Sequence, residues 1–356
     1  MTRKAFFTFS RNKVLVVKLS AVIFVIVAFF AAPLWGATSE RTWPKTPLEE
    51  KALRAELSLV RGKPSADKDY PKTIHYIHEF IDFRNDELAQ EERTFILKKK
   101  PVRIIPHAVG ITEILWAICP GERLIAFNEL AADPKFSFLA REVKKQGPIF
   151  NAQQMECVIG AKPDLVFTVF YSDPAFKEKL KQANVPLFDL GYFGTIESIK
   201  KQILLVGRII GEEGNAEALV KIIDTRLIDL KTKLPKTVKP LRVLYYDKGG
   251  YIPGRFSNFN SLCEMIGVIN VGTEQGIKSL KQIDFETLLS WDPDIIIVPQ
   301  GSSLKEQLLQ SPVLATMRAI KKEDIHYLPH VYLAGESQFM LLSANLLAGI
   351  VYNNAF

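Results

Sequence analysis

The chain has 356 residues, of which 47% are hydrophobic and 24% are charged, a balance that is typical of globular proteins and excludes a mainly disordered chain. This length allows two domains of ordinary size. The formal charge is +7, but residues 1–37 hold five basic side chains and no acid, so the rest of the chain is close to +2. The basic excess therefore gives no support to nucleic-acid binding.

The first 37 residues have the pattern of an export segment. Five basic residues, Arg3, Lys4, Arg11, Lys13 and Lys18, precede an almost wholly apolar stretch at 19–37. This order predicts a signal peptide, and the positive-inside rule places the following residues outside the cytoplasm. An apolar stretch of this length also suits a retained membrane anchor. Both alternatives predict a periplasmic protein, tethered to the inner membrane in the second case.

Residues 38–100 are predicted to be a spacer that ends in a lead-in hairpin. A helix is expected at 47–60, and patches of alternation at 73–100 indicate two short strands. His75 and His78, with Glu79 beside them, have the spacing of half a metal site. Because no further ligand lies near them in sequence, we expect both histidines on a solvated surface.

Strands and helices alternate over residues 101–210, which predicts an N-terminal α/β lobe. The strands are expected at 102–109, 123–128, 165–171 and 185–191. Thr112 is the expected N-cap of the first helix, and a later helix is expected at 174–183. Such β-α-β alternation favours a mostly parallel sheet.

A long helix is predicted to connect this lobe to a second one. Thr195 or Ser198 can cap a first helix, which Gly211 and Gly214 then end. From residue 212 to 234 the apolar residues recur on one helical face. This helix would be roughly 35 Å long, and we take residues 211–236 as the connector.

Residues 237–356 repeat the order of the first lobe. They are expected to contain strands at 242–247, 294–299 and 325–329 and helices near 261–266, 304–309 and 338–352. One segment occurs in both lobes: ECVIGAKPDLVFT at 156–168 and ETLLSWDPDIIIV at 286–298. Each copy is typical of a helix end, a Pro-Asp turn and a buried strand. The repetition indicates two similar lobes.

In order and spacing, these segments resemble the periplasmic binding proteins of the helical-backbone class, which bind iron-siderophores, haem or cobalamin. The likeness covers about residues 100–352, including RIIPHAVGITEILWAICPGERLIAFNE at 103–129 and RVLYYDKGGYIPGRFSNFNSLCEMIGVINV at 242–271. The resemblance implies an α/β protein with two Rossmann-like lobes, mostly parallel sheets and one long connecting helix. It also implies a chelate ligand between the lobes, an ABC permease and an ATPase as partners, and a monomer without a resident cofactor or metal.

Ligands of open α/β sheets bind outside the carboxyl ends of the strands, which selects four loops, at 107–110, 170–173, 249–258 and 330–335. Tyrosine rings there suit packing on a large chelate, the arginine suits a carboxylate or catecholate, and the histidines suit iron or a propionate. The predicted ligand-binding residues are His107, Phe170, Tyr171, Tyr251, Arg255, His330 and Tyr332. The alternative for each is a purely structural role in its loop.

The family resemblance also implies one exposed acidic residue per lobe that docks on the permease. Glu178 in SDPAFKEKL and Glu306 in QGSSLKEQL occupy matching stretches. The alternative is two ordinary surface glutamates.

Two other functional classes stay open at this point. One is an exported two-lobed enzyme, such as a chelatase or a transferase. The other is an anchored scaffold whose lobes have lost their ligand. The sequence contains no GxSxG, GxGxxG, GxxxxGK or HExxH motif, so we predict a binding protein rather than an enzyme.

Overall fold

The computed structural model describes residues 47–60, 62, 70–82, 84–151, 154–236 and 239–352. The predicted export segment at 19–37 lies outside these residues. Within them, no helix is both long and apolar enough to cross a membrane.

The N-terminal lobe has parallel strands with helices between them, as predicted. Its elements are β3 (Ile104–Pro106), α2 (Val109–Ile118), β4 (Phe127–Asn128), α3 (Ala140–Gln146), β5 (Ile149–Phe150), α4 (Met155–Gly160), β6 (Leu165–Val169), α5 (Pro174–Gln182) and β7 (Leu187–Leu190). Strands β3, β6 and β7 form one parallel sheet in that order, and β4 pairs in parallel with β5. The carboxyl ends of the three sheet strands therefore lie along one edge.

The prediction that Thr112 caps the first helix is wrong. Helix α2 begins three residues earlier, after Ala108 in extended conformation. Thr112 lies inside the helix, where its hydroxyl donates a hydrogen bond to the carbonyl of Ala108 at 2.8 Å. The hydroxyl is thus satisfied by the preceding turn of the helix, a local pairing that threonine favours.

Two helices follow the first lobe, α6 (Ile196–Ile210) and α7 (Glu213–Lys233). Thr195 and Ser198 cap α6 together, because each side chain bonds the backbone N–H of the other. Gly211 ends the helix in left-handed conformation, with φ of 71°. The single long helix predicted from the apolar spacing is present as α7.

The C-terminal lobe is built on a four-stranded parallel sheet. Its elements are β8 (Arg242–Tyr245), β9 (Tyr251–Pro253), α8 (Asn258–Ile266), β10 (Ile269–Asn270), α9 (Val271–Glu274), β11 (Leu280–Gln282), α10 (Phe285–Trp291), β12 (Ile295–Pro299), α11 (Leu304–Gln310), α12 (Arg318–Lys321), β13 (Ile325–Leu328), α13 (Val331–Ala334) and α14 (Met340–Val351). The sheet order is β10-β8-β12-β13, and β9 pairs with β11 in a separate antiparallel ribbon. The α/β class with mostly parallel sheets is confirmed, while the predicted boundaries at 101–210, 211–236 and 237–356 stay predictions.

The repeated segment has the same structural role in both lobes. The Asp164 carboxylate accepts a hydrogen bond from the backbone N–H of Arg103 at 2.9 Å, and the Asp294 carboxylate accepts one from Arg242 at 2.9 Å. Each arginine in turn donates to the two carbonyls just before the repeated proline. The Pro-Asp turn therefore fixes the start of the first sheet strand of each lobe, which explains why the sequence repeats there.

We expect Asp164→Ala and Asp294→Ala each to lower the free energy of unfolding by about 2 kcal/mol, because each loses charge-assisted bonds to backbone N–H groups. Chemical denaturation measures the loss. The repeated glutamates offer a matched control, since Glu156 and Glu286 are exposed. Their alanine variants should stay within about 0.5 kcal/mol of the wild type. Equal losses at the aspartates and the glutamates would contradict the assigned role.

The largest group of buried apolar residues runs through both lobes. It joins Phe167 of β6, Leu219 of α7, Leu262 of α8 and Leu347 of α14. Two smaller groups fill the remaining faces, one in the N-terminal lobe and one in the C-terminal lobe. Helices α7 and α14 therefore bury apolar surface against both lobes, which is the main stabilising contribution at their junction.

The predicted spacer is wrong for the part of it that the structure describes. Helix α1 (Pro47–Ser58) buries Leu57 completely, and the carbonyl of Leu57 accepts a bond from Gln338 at 3.2 Å. The predicted hairpin is present as β1 (Lys72–Asp82) and β2 (Glu87–Leu97), paired over their whole length. Its inner face buries Ile74. These residues are an integral part of the fold.

The two histidines of the hairpin lie on opposite faces, because side chains alternate along a strand. His75 is exposed, as predicted. The surface prediction is wrong for His78, which is 2% exposed and lies 3.4 Å from the carboxylate of Asp189. Burial alone would raise the pKa of Asp189, but its contacts with His78 and Lys177 lower that pKa well below its usual value.

Candidate functional site

The facing ends of the two lobes meet through a tyrosine and a glutamate. Tyr171 follows β6 at the carboxyl edge of the N-terminal sheet, and Glu336 lies between α13 and α14. The Tyr171 hydroxyl donates a hydrogen bond of 2.8 Å to Glu336 Oε2. Gly110, at the start of α2, lies directly against the backbone of Glu336. A Cβ added to this glycine would be 2.4 Å from the Glu336 carbonyl oxygen. The lobes therefore touch at this point.

Aromatic rings continue this contact outward. Phe170 packs edge-on against Tyr171, with ring centroids 5.0 Å apart, and against Tyr192 at 6.2 Å. Tyr192 follows β7, and its ring faces Phe256 of the C-terminal lobe at 6.5 Å. We call Phe170, Tyr171, Tyr192, Phe256 and Glu336 the cleft cluster. It offers both flat apolar surface and hydrogen-bonding groups.

The acid–base state of the cleft cluster follows from its burial. Burial raises the pKa of the Glu336 carboxyl to about 7, although hydrogen bonds from Tyr171 and Asn258 oppose the rise. Burial, followed by the negative charge of Glu336, raises the pKa of Tyr171 well above its usual value. The pKa of Tyr192 is raised for the same two reasons. Both phenols are thus protonated at neutral pH and act as hydrogen-bond donors.

Arg255 supplies a positive charge beside the cleft cluster. Its side chain is exposed, and its charge acts on Tyr192, whose pKa it lowers slightly against the stronger effect of burial. Its backbone is fixed by a hydrogen bond to the carbonyl of Ile277 at 2.9 Å. The predicted Phe170, Tyr171 and Arg255 therefore lie in or next to one site.

His107 packs inside the N-terminal lobe. Its ring stacks on Phe176 with centroids 3.9 Å apart and lies 5.9 Å from Phe150. Burial, followed by the charge of Lys177, lowers the pKa of His107 to about 4. The imidazole is therefore neutral at physiological pH, and the role of His107 in ligand binding stays a prediction.

The other three predicted residues have contacts outside the cleft cluster. Tyr332 donates a hydrogen bond of 2.6 Å to Glu50 of α1, and its ring packs on Phe138. His330 packs edge-on against Phe136. Tyr251 pairs with Gln282 in the β9-β11 ribbon. Their roles in ligand binding stay predictions.

Tyr192, Phe256 and Glu336 were not among the predicted residues. For Tyr192 the signal was present, since it directly follows the strand predicted at 185–191. Phe256 lies in a loop that was selected for its arginine and tyrosine. Glu336 is the residue directly after the loop selected at 330–335. Only the folded chain brings this glutamate to Tyr171, which is 165 positions away.

A second glutamate, this one fully buried, joins the lobes behind the cleft cluster. Glu113 of α2 is fully buried. Its Oε1 accepts from Ser137 Oγ at 2.8 Å, and its Oε2 accepts from Ser337 Oγ at 2.6 Å. Burial raises the pKa of Glu113 to about 7, although these hydrogen bonds oppose the rise. At acidic pH the carboxyl is protonated in the folded chain.

This raised pKa predicts a pH-dependent stability. Below the ordinary pKa of 4.5 both states hold the proton, and between 4.5 and about 7 only the folded state holds it. The free energy of unfolding should therefore fall as pH rises through this range, by at most about 1.4 kcal/mol per pH unit for this group. Urea denaturation of Glu113→Gln should show a flatter pH profile. Glu286→Gln, at an exposed position, should keep the wild-type profile, and an unchanged Glu113→Gln profile would contradict the assignment.

The two predicted docking residues are exposed on matching helices. Glu178 of α5 accepts a bond from Gln182 at 3.3 Å, and Glu306 of α11 accepts one from Tyr327 at 2.9 Å. Each helix follows the sheet strand of its repeat copy. These local contacts do not test the predicted role of Glu178 and Glu306 in docking on a permease, which stays a prediction.

Among the described residues, no group of three or more His, Cys, Asp or Glu side chains is arranged to hold a metal ion.

The family described as periplasmic binding protein matches residues 111–332 of this chain. This match covers more than half of the chain and includes both lobes and the cleft cluster apart from Glu336. The chain is a member of this family. The predicted recognition is thereby confirmed, and the family is one of binding proteins rather than of enzymes.

Related proteins agree with this membership. An uncharacterized ABC transporter substrate-binding lipoprotein of Bacillus subtilis is 25% identical over 71% of this chain and 80% of its own length. The molybdate-binding protein MolA of Haemophilus influenzae is 23% identical over 67% of this chain and 72% of its own.

The fold is shared with solved periplasmic binding proteins. The haem-binding protein RhuT of Roseiflexus sp. RS-1, in apo form, superposes with a TM-score of 0.61 at 22% identity. The match covers 99% of that protein but 71% of this chain. More than a quarter of this chain therefore has no counterpart in that periplasmic protein.

Proposed function

We propose that this chain is the solute-binding component of an ABC importer and that it binds an iron chelate, haem or cobalamin between its lobes. The observation that carries the proposal is the cleft cluster. Four aromatic rings and a partly buried glutamate meet where the carboxyl edges of the two lobes face each other. Such edges are where open α/β folds bind their ligands, and flat rings suit a large planar or caged chelate.

The protonation of the cleft cluster favours packing and hydrogen bonding over direct coordination. Since Tyr171 and Tyr192 hold their protons at neutral pH, they meet a ligand as donors. Arg255 beside them suits an anionic edge of the ligand, such as a carboxylate. A chelate with an apolar face and acidic substituents could pack on the aromatic rings, accept hydrogen bonds from the two tyrosines and pair with Arg255.

The proposed location is the periplasm, with residues 1–37 as a cleaved signal or a retained anchor. The proposed partners are a permease and an ATPase of the inner membrane. Glu178 and Glu306, exposed in corresponding positions of the two lobes, are the proposed docking groups. The relative described as an ABC transporter substrate-binding lipoprotein supports this placement.

Native mass spectrometry of the purified full chain tests the proposal. The chain is incubated in turn with haemin, a ferric siderophore, cyanocobalamin and molybdate. We expect a 1:1 complex with a member of the first three classes. Binding of molybdate alone, or of none of the four, would contradict the proposed ligand class.

A second candidate is a scaffold whose lobes have lost their ligand. Direct contacts between the lobes favour it, because the Tyr171–Glu336 bond and the Tyr192–Phe256 pair occupy the position of a ligand with the protein's own side chains. This candidate predicts that none of the four compounds binds.

A further inference from the structure

The β1-β2 hairpin contacts both lobes, whereas the family match begins only at residue 111. Its base is fixed on the N-terminal lobe by aromatic packing. Tyr76 and Phe95 contact the ring of Phe188 in β7, with centroids 4.8 Å and 5.0 Å away. Because Phe188 is fully buried, this end of the hairpin is part of the lobe's core.

A partly buried carboxylate contacts the middle of the hairpin. Asp189 of β7 lies 3.4 Å from His78 and 3.2 Å from Arg93. The same carboxylate pairs with Lys177 at 2.7 Å and accepts a bond from Thr168 at 2.8 Å. A shift of the hairpin along the lobe would break the contacts of His78 and Arg93 with this carboxylate, so these contacts help to hold the hairpin in place.

The edge of the hairpin holds a residue of the cleft cluster. The backbone N–H of Tyr192 donates to the carbonyl of Glu79 at 2.5 Å. Gly191 lies so close that an added Cβ would be 2.7 Å from the same carbonyl. The hairpin therefore fixes the backbone that presents the Tyr192 ring.

The tip of the hairpin reaches the C-terminal lobe. Ser279 donates a short hydrogen bond to Asp86, and Lys278 pairs with Glu87 at 3.1 Å. The backbone at 277–279 is itself bonded to the loop that carries Phe256: the carbonyl of Lys278 accepts from Phe256 N at 2.7 Å. Tyr192 and Phe256 are thus in ring contact, and the hairpin links them a second time through backbone bonds at Glu79 and Lys278 and side-chain contacts at its tip.

We propose that the β1-β2 hairpin is an interlobe strap that holds Tyr192 against Phe256 and must release Lys278 and Ser279 when the lobes separate. The base is buried, whereas the Lys278–Glu87 pair is exposed, with 45% and 66% of the two side chains accessible. Exposed pairs are weak and screened by salt. The tip is therefore the end that opens. The strap concerns lobe separation alone and does not depend on which ligand binds.

Double electron–electron resonance on the full chain tests the strap. Spin labels are placed by Lys179→Cys on α5 and Gln310→Cys on α11, both exposed. The background carries Cys157→Ser, since Cys157 is exposed whereas Cys119 and Cys263 are buried. The probe variant is Lys278→Glu, which places a second negative charge beside Glu87.

We expect this repulsion to favour separated lobes. The fraction of molecules with the longer distance between the labels on α5 and α11 should rise about three- to tenfold relative to the wild type.

Two matched variants separate the strap from a general charge effect. Lys281→Glu makes the same charge change at a nearby exposed lysine and should leave the distances unchanged. The swap Glu87→Lys with Lys278→Glu restores opposite charges and should restore the wild-type distances. Circular dichroism melts establish that each variant is folded. A Lys278→Glu distribution equal to the wild type, an equal shift in Lys281→Glu, or no recovery in the swap would overturn the strap. Failure of all four ligands to bind would refute only the proposed function.

Discussion

Replacing Tyr171 with alanine should weaken ligand binding by about 30-fold, which corresponds to about 2 kcal/mol. Tyr171 supplies both an aromatic face and the hydroxyl that bonds Glu336 at 2.8 Å. Its loss removes a packing surface from the ligand and leaves the Glu336 carboxyl without this donor. The dissociation constant is measured by absorbance titration with whichever of haemin, ferric siderophore or cyanocobalamin binds the wild type.

Tyr352→Ala is the matched control for this measurement. Tyr352 is also a partly buried tyrosine whose hydroxyl donates a hydrogen bond, but its acceptor is the carbonyl of Ile266 at 2.9 Å. We expect its affinity to stay within about threefold of the wild type, since its contacts lie outside the cleft cluster. Equal losses of affinity in the two variants would show that the cleft cluster is not the ligand site.

Replacing Phe188 with alanine should lower the free energy of unfolding by about 3–5 kcal/mol. The Phe188 ring is fully buried and contacts Tyr76 and Phe95 of the hairpin and Phe167 of β6. Removing it leaves a cavity between the hairpin and the sheet that neighbouring rings cannot refill. Chemical denaturation followed by far-ultraviolet circular dichroism measures the loss.

Ile77→Ala provides the control on the outer face of the same hairpin. The Ile77 side chain is 57% exposed, so its truncation should change stability by about 0.5 kcal/mol or less. A loss below about 1 kcal/mol for Phe188→Ala would mean that the hairpin is only loosely attached to the lobe, against the packing described above.

Much of the fold could be predicted because local and periodic signals agree with the final structure. The repeated Pro-Asp turns mark the same turn in both lobes, and the Asp164 and Asp294 contacts explain their retention. The apolar spacing at 212–234 predicts α7 within a residue at each end. These features depend on neighbours in sequence, which is why a pattern reveals them.

The candidate site could be predicted only in part. Phe170, Tyr171 and Arg255 follow from the rule that ligands bind at strand ends. Glu336 does not, because its partner Tyr171 is distant in sequence and no local pattern links them. His107 also follows a strand, but its ring stacks on Phe176 within the lobe, and its role in ligand binding stays a prediction.

The prediction and the structure differ most over residues 38–100. The polar composition at 38–70 favours a spacer, yet α1 and the hairpin bury Leu57, Ile74 and His78. The spacing of His75 and His78 would place both on one side of a helix, whereas in a strand they lie on opposite faces. The buried His78 lies beside Asp189. Because Asp189 is distant in sequence, no local pattern predicts this contact.

Hydrogen–deuterium exchange on the full chain, with and without the bound chelate, tests the central claim most directly. If the ligand lies between the lobes at the cleft cluster, exchange should slow together at residues 170–173, 191–194 and 254–258 and around Glu336, in both lobes. Protection confined to one lobe, or located away from these loops, would contradict the claim.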